Sequence, residues 1–180
     1  MKLKKNHNLV IAADGGAGSG KTTGARRISK KYGLQFLSSG LLYRYASYRL
    51  LKYKPRNTIP YLEKCFKNLN LKNLNNKNLH SPEISAHTSI IAKEKKIRNI
   101  LKDFQKKFAK KHNKVCIEGR DIGTIILPKA DIKFFFKCNL DVAAKRRFKE
   151  LKKTNKHINF DHVKKAMRIR DNLDKKRKNS

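Results

Sequence analysis

The chain has 180 residues, 38% of them hydrophobic, and carries 46 Lys+Arg against 13 Asp+Glu for a formal net charge of +33. That length suits one compact domain with its own core, and no apolar run approaches the roughly 20 residues that a membrane-spanning helix needs. Cys65, Cys116 and Cys138 are too far apart for paired metal-ligand spacing, so reduced thiols and a cytoplasmic location are expected. The basic residues are spread along the whole chain with few aromatic residues alternating among them. Generic surface lysine that attracts nucleic acid non-specifically accounts for this better than a dedicated stacking surface.

The basic start of the chain leads into Leu9 to Ala13, a short apolar run that reads as a buried first strand rather than a secretion signal. Gly15, Gly16, Ala17, Gly18, Ser19, Gly20, Lys21 and Thr22 then satisfy G-x-x-x-x-G-K-[ST], followed by Thr23. Ala25, Ile28 and Tyr32 continue at helical spacing, with Arg26, Arg27, Lys30 and Lys31 on the other side. Strand, glycine loop and helix in that order make an anion cradle. Glycines let successive backbone N–H groups converge on one point, and the helix adds its positive end. Lys21 is placed to reach the β/γ-phosphates of a nucleoside triphosphate, and the Thr22 hydroxyl to help hold Mg²⁺ together with phosphate and water.

Leu34 to Gly40 reads as a second strand, and "LLYRYASYRLL" as a helix. Residues 54–82 are rich in Asn, Lys and Leu, with prolines near both ends, and are expected to form a small mobile insert or a loop with little order. From Pro82 to His112 the apolar residues Ile90, Ile91, Ile97, Ile100, Leu101, Phe104 and Phe108 form one helical stripe. "KVCIEGRDIGT" is a third strand ending in Glu118, Arg120 and Asp121. "ADIKFFFKCN" is a fourth, whose run Phe134–Phe136 is of the kind found in central parallel strands. Two helices close the chain. This alternation predicts an α/β fold, a parallel sheet flanked by helices, with ligands beyond the carboxyl ends of its strands. Gly15–Thr22, Ser38–Ser39 and Glu118–Asp121 all fall at such ends.

"DGGAGSGKTT", "SSGLLYR", "PEISAHTSIIAKEKKIR", "EGRDIGT", "AAKRRFKEL" and "RIRDNLDKKR" occur here in the order and spacing of the bacterial-type cytidylate kinases, and Leu9 to Arg177 resembles that family. The resemblance implies a P-loop nucleoside monophosphate kinase of pyrimidine nucleotide metabolism. Its core would be residues 8–53 and 83–178, its small NMP-binding insert about 54–82 and its short lid about 140–160. It implies transfer of the γ-phosphoryl group of ATP to CMP and dCMP with Mg²⁺, by a monomer that makes no membrane contact. Gly15 to Thr23 would bind ATP, with Lys21, Arg120, Arg146 and Arg170 acting on the transferred group and Arg147 beside Arg146 on the lid. Ser39, Arg44, Ser89, Arg98, Arg120, Asp121, Arg170, Asp174 and Arg177 would bind CMP. Of these, Ser89, Arg98 and Asp121 would read the cytosine edge, and Asp174 would hold the sugar hydroxyls.

Three positions depart from the family pattern: Ser38 stands where an Asp is usual, Glu118 replaces the Asp of "DGRD", and His80 stands where an Arg often precedes "SPE". The family's last strand and final helix have no counterpart within the 180 residues. Two other functions share the phosphate loop. One is a small-molecule kinase with a UMP or shikimate acceptor; the other is a basic non-enzymatic protein that binds RNA in a nucleotide-dependent way. A base-reading Ser/Arg/Asp set is superfluous to the second.

Overall fold

Strand β1 (Leu9–Gly15) is buried from Ile11 onward, as an apolar run between two neighbouring strands must be. The computed structural model describes residues 8–153 and 157–175, without the side chains of residues 170 and 173–175. Three further strands, β2 (Gln35–Ser38), β3 (Lys114–Gly119) and β4 (Ile132–Phe136), complete a sheet of order β2-β3-β1-β4. β1 runs parallel to both neighbours, with Ile11 opposite Cys116 on one side and Ile132 on the other. The predicted α/β architecture is therefore present.

Seven helices accompany the strands among the described residues: α1 (Lys21–Tyr32), α2 (Ser39–Tyr53), α3 (Thr58–Lys67), α4 (Pro82–Ile91), α5 (Lys95–Lys111), α6 (Leu140–Lys152) and α7 (Phe160–Lys175). None is long and apolar enough to cross a membrane. The chain forms two compact units, the described parts of Met1–Leu37 with Asn113–Ser180, and Ser38–His112. In the first, α1 packs on β1 and β3 over a core of Ile11, Ala13, Ala25, Leu34 and Cys116. Ala143 and Ala144 of α6 meet Val163 and Met167 of α7 in a second apolar cluster.

Three expectations need correction. Residues 54–82 are ordered: α3 is followed by 3₁₀ turns at Leu71–Asn75 and Lys77–His80. The asparagines there are structural, for Asn70 Oδ1 accepts from Lys72 N–H at 2.9 Å and Asn76 Oδ1 from Asn78 N–H at 2.9 Å. Leu62, Phe66, Leu74 and Leu79, dispersed among the lysines, are all buried.

The stripe from Pro82 to His112 is two helices, interrupted at residues 92–94. Ile84, Thr88 and Ile91 share one buried face and Ile97, Leu101 and Phe108 another. Ile91 and Ile97 are six residues apart, which at 3.6 residues per turn puts them about 120° out of phase, so the chain breaks to bury both.

Strand β4 is one of the two outer strands of the described sheet, with Phe135 66% exposed. Its apolar run marks a central strand only if both faces are covered, and here Phe134 and Phe135 remain exposed. Phe136 is the exception and packs on the first unit's core.

Phe136 also explains Gly24 in the middle of α1. A Cβ built on Gly24 would lie 2.5 Å from a carbon of the Phe136 ring. Gly24→Ala should therefore lower stability by about 1–3 kcal/mol through overpacking. The propensity gain of about 1 kcal/mol for Gly→Ala in a helix offsets only part of that, for a net loss of up to about 2 kcal/mol. Denaturant unfolding of the two proteins decides the sign.

Candidate active site

The glycine loop leaves β1 at Gly15 and enters α1 at Lys21, as the order of strand, loop and helix requires. Gly18 and Gly20 have φ of 67° and 87°, in the left-handed region that side chains disfavour. At Gly18 space forbids a side chain as well: a Cβ would sit 2.8 Å from the carbonyl oxygen of Ala143 in α6. Lys21 folds over the loop and donates from Nζ to the Gly16 carbonyl at 3.0 Å. Ser19 Oγ is buried with no hydrogen-bond partner. A buried polar atom of this kind is costly unless a ligand completes it.

Asp14, one residue before the loop, is the side chain that sequence reasoning passed over. It is 7% exposed, and each of its oxygens accepts a backbone bond: Oδ1 from Ile122 N–H at 2.8 Å and Oδ2 from Gly123 N–H at 2.7 Å. The signal available in the sequence was a carboxylate closing an otherwise apolar strand, since a buried charge demands partners. Desolvation pushes its carboxyl above the ordinary 3.8, while the bonds from Gly123 and Ile122 and the nearby Lys21 ammonium oppose the rise.

The segment held by Asp14 carries Arg120 and Asp121. Immediately after them Ile122–Ile126 forms a single π turn, in which the Asp121 carbonyl accepts from both Ile125 and Ile126 N–H at 2.9 and 3.1 Å. Such turns are frequent at functional sites. Glu118, at the carboxyl end of β3, is 3% exposed and lies opposite Ala13 of β1. Arg120 pairs with Asp171 of α7, Nη1 to Oδ1 at 3.0 Å. Asp171 is the second residue that sequence reading missed, and no local pattern marks it.

The first unit thus brings together Gly15 to Thr23, Arg120 and Asp121. Arg146 joins them, its Nη1 lying 3.9 Å from a Cβ built on Gly20. Arg147 instead pairs with Glu150 at 3.0 Å on the surface of α6. Arg170 and Asp174 fall on α7, where their side chains lie outside the described residues, as does Arg177 altogether.

The second unit holds Ser39, Arg44, Ser89 and Arg98. Ser39 is the buried first residue of α2. Arg44 Nη1 donates to the Leu79 carbonyl at 2.7 Å and to Ser85 Oγ at 2.9 Å, and Ser89 Oγ donates to the Ser85 carbonyl at 3.3 Å. Arg44 and Ser89 are therefore tied to one helix, α4, through Ser85. Arg98 Nη1 approaches the Ala92 carbonyl at 3.5 Å, across the break between α4 and α5. Ser38, one of the three departures from the family pattern, caps α2 by accepting from Leu41 N–H at 3.3 Å. Ser and Asp are equally good at that task.

No group of three or more His, Cys, Asp or Glu side chains that could hold a metal exists among the described residues. The unsatisfied Ser19 Oγ on the loop and the Thr22 hydroxyl in the first turn of α1 suit a hard cation held largely by phosphate oxygens.

Residues 11–180 match the family model described as cytidylate kinase. A cytidylate kinase of Bartonella tribocorum is 40% identical over 178 residues, covering 96% of this chain and 80% of the relative. One from Acidiphilium cryptum is 39% identical over 170 residues, covering 94% and 80%. The solved structure of an uncharacterized protein from Eubacterium ventriosum shares the fold, with a TM-score of 0.50 and 17% identity over 93% of this chain and 76% of that one.

The Asp14 brace yields a stability prediction. Asp14→Asn keeps one acceptor oxygen and turns an amide donor toward the other N–H, so stability should fall by about 1–3 kcal/mol. Folding raises the Asp14 pKa, so the folded state holds that proton more tightly than the unfolded one. The proton-linked part of the Asp14 contribution is then fully present below the ordinary carboxylate value and is lost as pH rises through the folded value, leaving at neutral pH the two backbone bonds to the ionised carboxylate. The stability gap between wild type and Asp14→Asn should widen as pH is lowered from 7 toward 4, read from urea unfolding at each pH.

Proposed function

The chain belongs to the cytidylate kinase family, and from that membership and the loop geometry we propose that it transfers the γ-phosphoryl group of ATP to CMP and dCMP. The observation that carries this reading is the glycine loop with Lys21 arched over it and Asp14 bracing the Arg120–Asp121 segment beside it. Fixed donors aimed at one anion position are what phosphoryl transfer needs, because the reaction is catalysed almost entirely by positioning and charge stabilisation.

In this proposal the amides of Gly15 to Thr23 seat the donor phosphates, and Lys21 exchanges its Gly16 carbonyl for the β/γ oxygens. Arg146, over Gly20, together with Arg120 and Arg170, offsets the charge of the transferred group. The Thr22 hydroxyl, together with phosphate and water, would hold Mg²⁺, which would supply charge neutralisation to the donor phosphates. No protein base is required, since a monophosphate oxygen is already anionic.

For CMP, Arg44 and Arg120 bind the phosphate, with Ser39 and Arg170 beside it, and Asp174 and Arg177 serve the sugar and phosphate. Arg44 comes to this task with its orientation set by Leu79 and Ser85. Ser89, Arg98 and Asp121 read the base, with an acceptor for the exocyclic amine and a cationic fork for N3 and O2. Residues 54–82 are proposed as the nucleotide-binding insert, and about 140–160, which includes α6, as the lid.

Two outcomes test the proposal in a coupled assay with ATP, Mg²⁺ and an acceptor panel of CMP, dCMP, UMP and shikimate. Lys21→Ala should lose at least about a hundredfold in kcat/KM, on the scale of one positioned electrostatic contact; equal activity removes its role. CMP should be preferred to UMP by roughly 10–100-fold, because uracil leaves a buried acceptor unpaired at about 1–3 kcal/mol. A better rate with UMP or shikimate would reject the acceptor assignment.

A further inference from the structure

Asp171, on α7, lies against the phosphate loop. Its Oδ1 accepts from Arg120 Nη1 at 3.0 Å and from Ala17 N–H at 3.5 Å, and its Oδ2 is 2.9 Å from a Cβ built on Gly16. Both oxygens therefore stand over the Gly16–Ala17 peptide. The pair is half-buried, Arg120 at 18% and Asp171 at 28% side-chain exposure. A carboxylate here faces the same two kinds of donor, a loop amide and a guanidinium, that a phosphate oxygen would use.

We infer that Asp171 is an internal counter-ion of the phosphate loop, an affinity-setting and positioning residue that competes with nucleotide phosphate for the Ala17 amide and for Arg120. The inference rests on the loop being the ATP phosphate site. The resemblance assigns roles to Arg170 and Asp174 on this helix, and to Arg177, but none to Asp171. The competition follows from charge. While Asp171 holds Arg120, part of the cationic field of the site is already neutralised, and an arriving phosphate must displace one anion or sit beside it. Asp171 thus lowers nucleotide affinity while keeping Arg120 at the loop in a defined orientation.

The test is equilibrium binding of a fluorescent, non-hydrolysable ATP analogue to the full chain in Mg²⁺ without CMP. Asp171→Asn and Asp171→Ala should both tighten binding about fivefold at low salt, the scale of one partly exposed ion pair. The gain should shrink as salt is raised. Asp161→Asn makes the same charge change at an exposed position of the same helix and should leave the Kd within about twofold. Thermal melts establish that each variant is folded; a variant that is not is replaced by the other substitution. Unchanged or weaker binding by a folded Asp171 variant overturns the inference, because a residue that only supports the fold cannot tighten a ligand when removed. Equal tightening by Asp161→Asn also overturns it, leaving net charge as the cause. Failure of the wild-type chain to bind the analogue would instead overturn the ATP-site reading on which the inference rests.

Discussion

Two hydrogen bonds to one carboxylate organise the candidate site. Asp14 ends the strand that feeds the glycine loop, and its oxygens take the N–H groups of Ile122 and Gly123, just past the end of the neighbouring strand. Parallel pairing of β1 with β3 brings these ends side by side, Asp14 opposite Gly119. The carboxylate then fixes how the chain turns beyond that point. An amide could not do this, for it has one acceptor where two donors converge. The consequence is a loop of donors and a segment bearing Arg120 and Asp121 held in one rigid frame, which is the condition for electrostatic catalysis.

What the sequence revealed and what it concealed divide along the same line. The glycine loop was readable because its determinants are contiguous: an apolar run, glycines at fixed spacing, then helical periodicity. The four strands and the helices that follow them were readable for the same reason. Asp14 and Asp171 were not, since their partners lie 108 and 154 residues away along the chain. The order in residues 54–82 was hidden by composition, for Leu62, Phe66, Leu74 and Leu79 bury themselves from a background of lysine and asparagine. The break between α4 and α5 was present as a phase error between Ile91 and Ile97 that a tally of apolar residues does not register.

In a chain of +33, the presence of an arginine says little. What distinguishes one from another is how it is held. Arg147 makes a surface pair with Glu150, of a kind worth little to stability. Arg44 donates to a carbonyl and a hydroxyl, two neutral acceptors that set its orientation and spend its rotamer entropy in advance. Neutral anchors of this sort are a way to pre-order a cation for an anion that comes later.

The outer strand β4 has a consequence of a different kind. Beside its exposed aromatic rings its backbone, on the side away from β1, meets no further strand among the described residues, an arrangement that invites cross-molecular sheet growth. Mutual repulsion between highly charged copies opposes that growth, acting as colloidal protection rather than as any part of the chemistry. Its range is about 8 Å at physiological ionic strength. Concentrated salt strips the protection while leaving the sticky margin untouched.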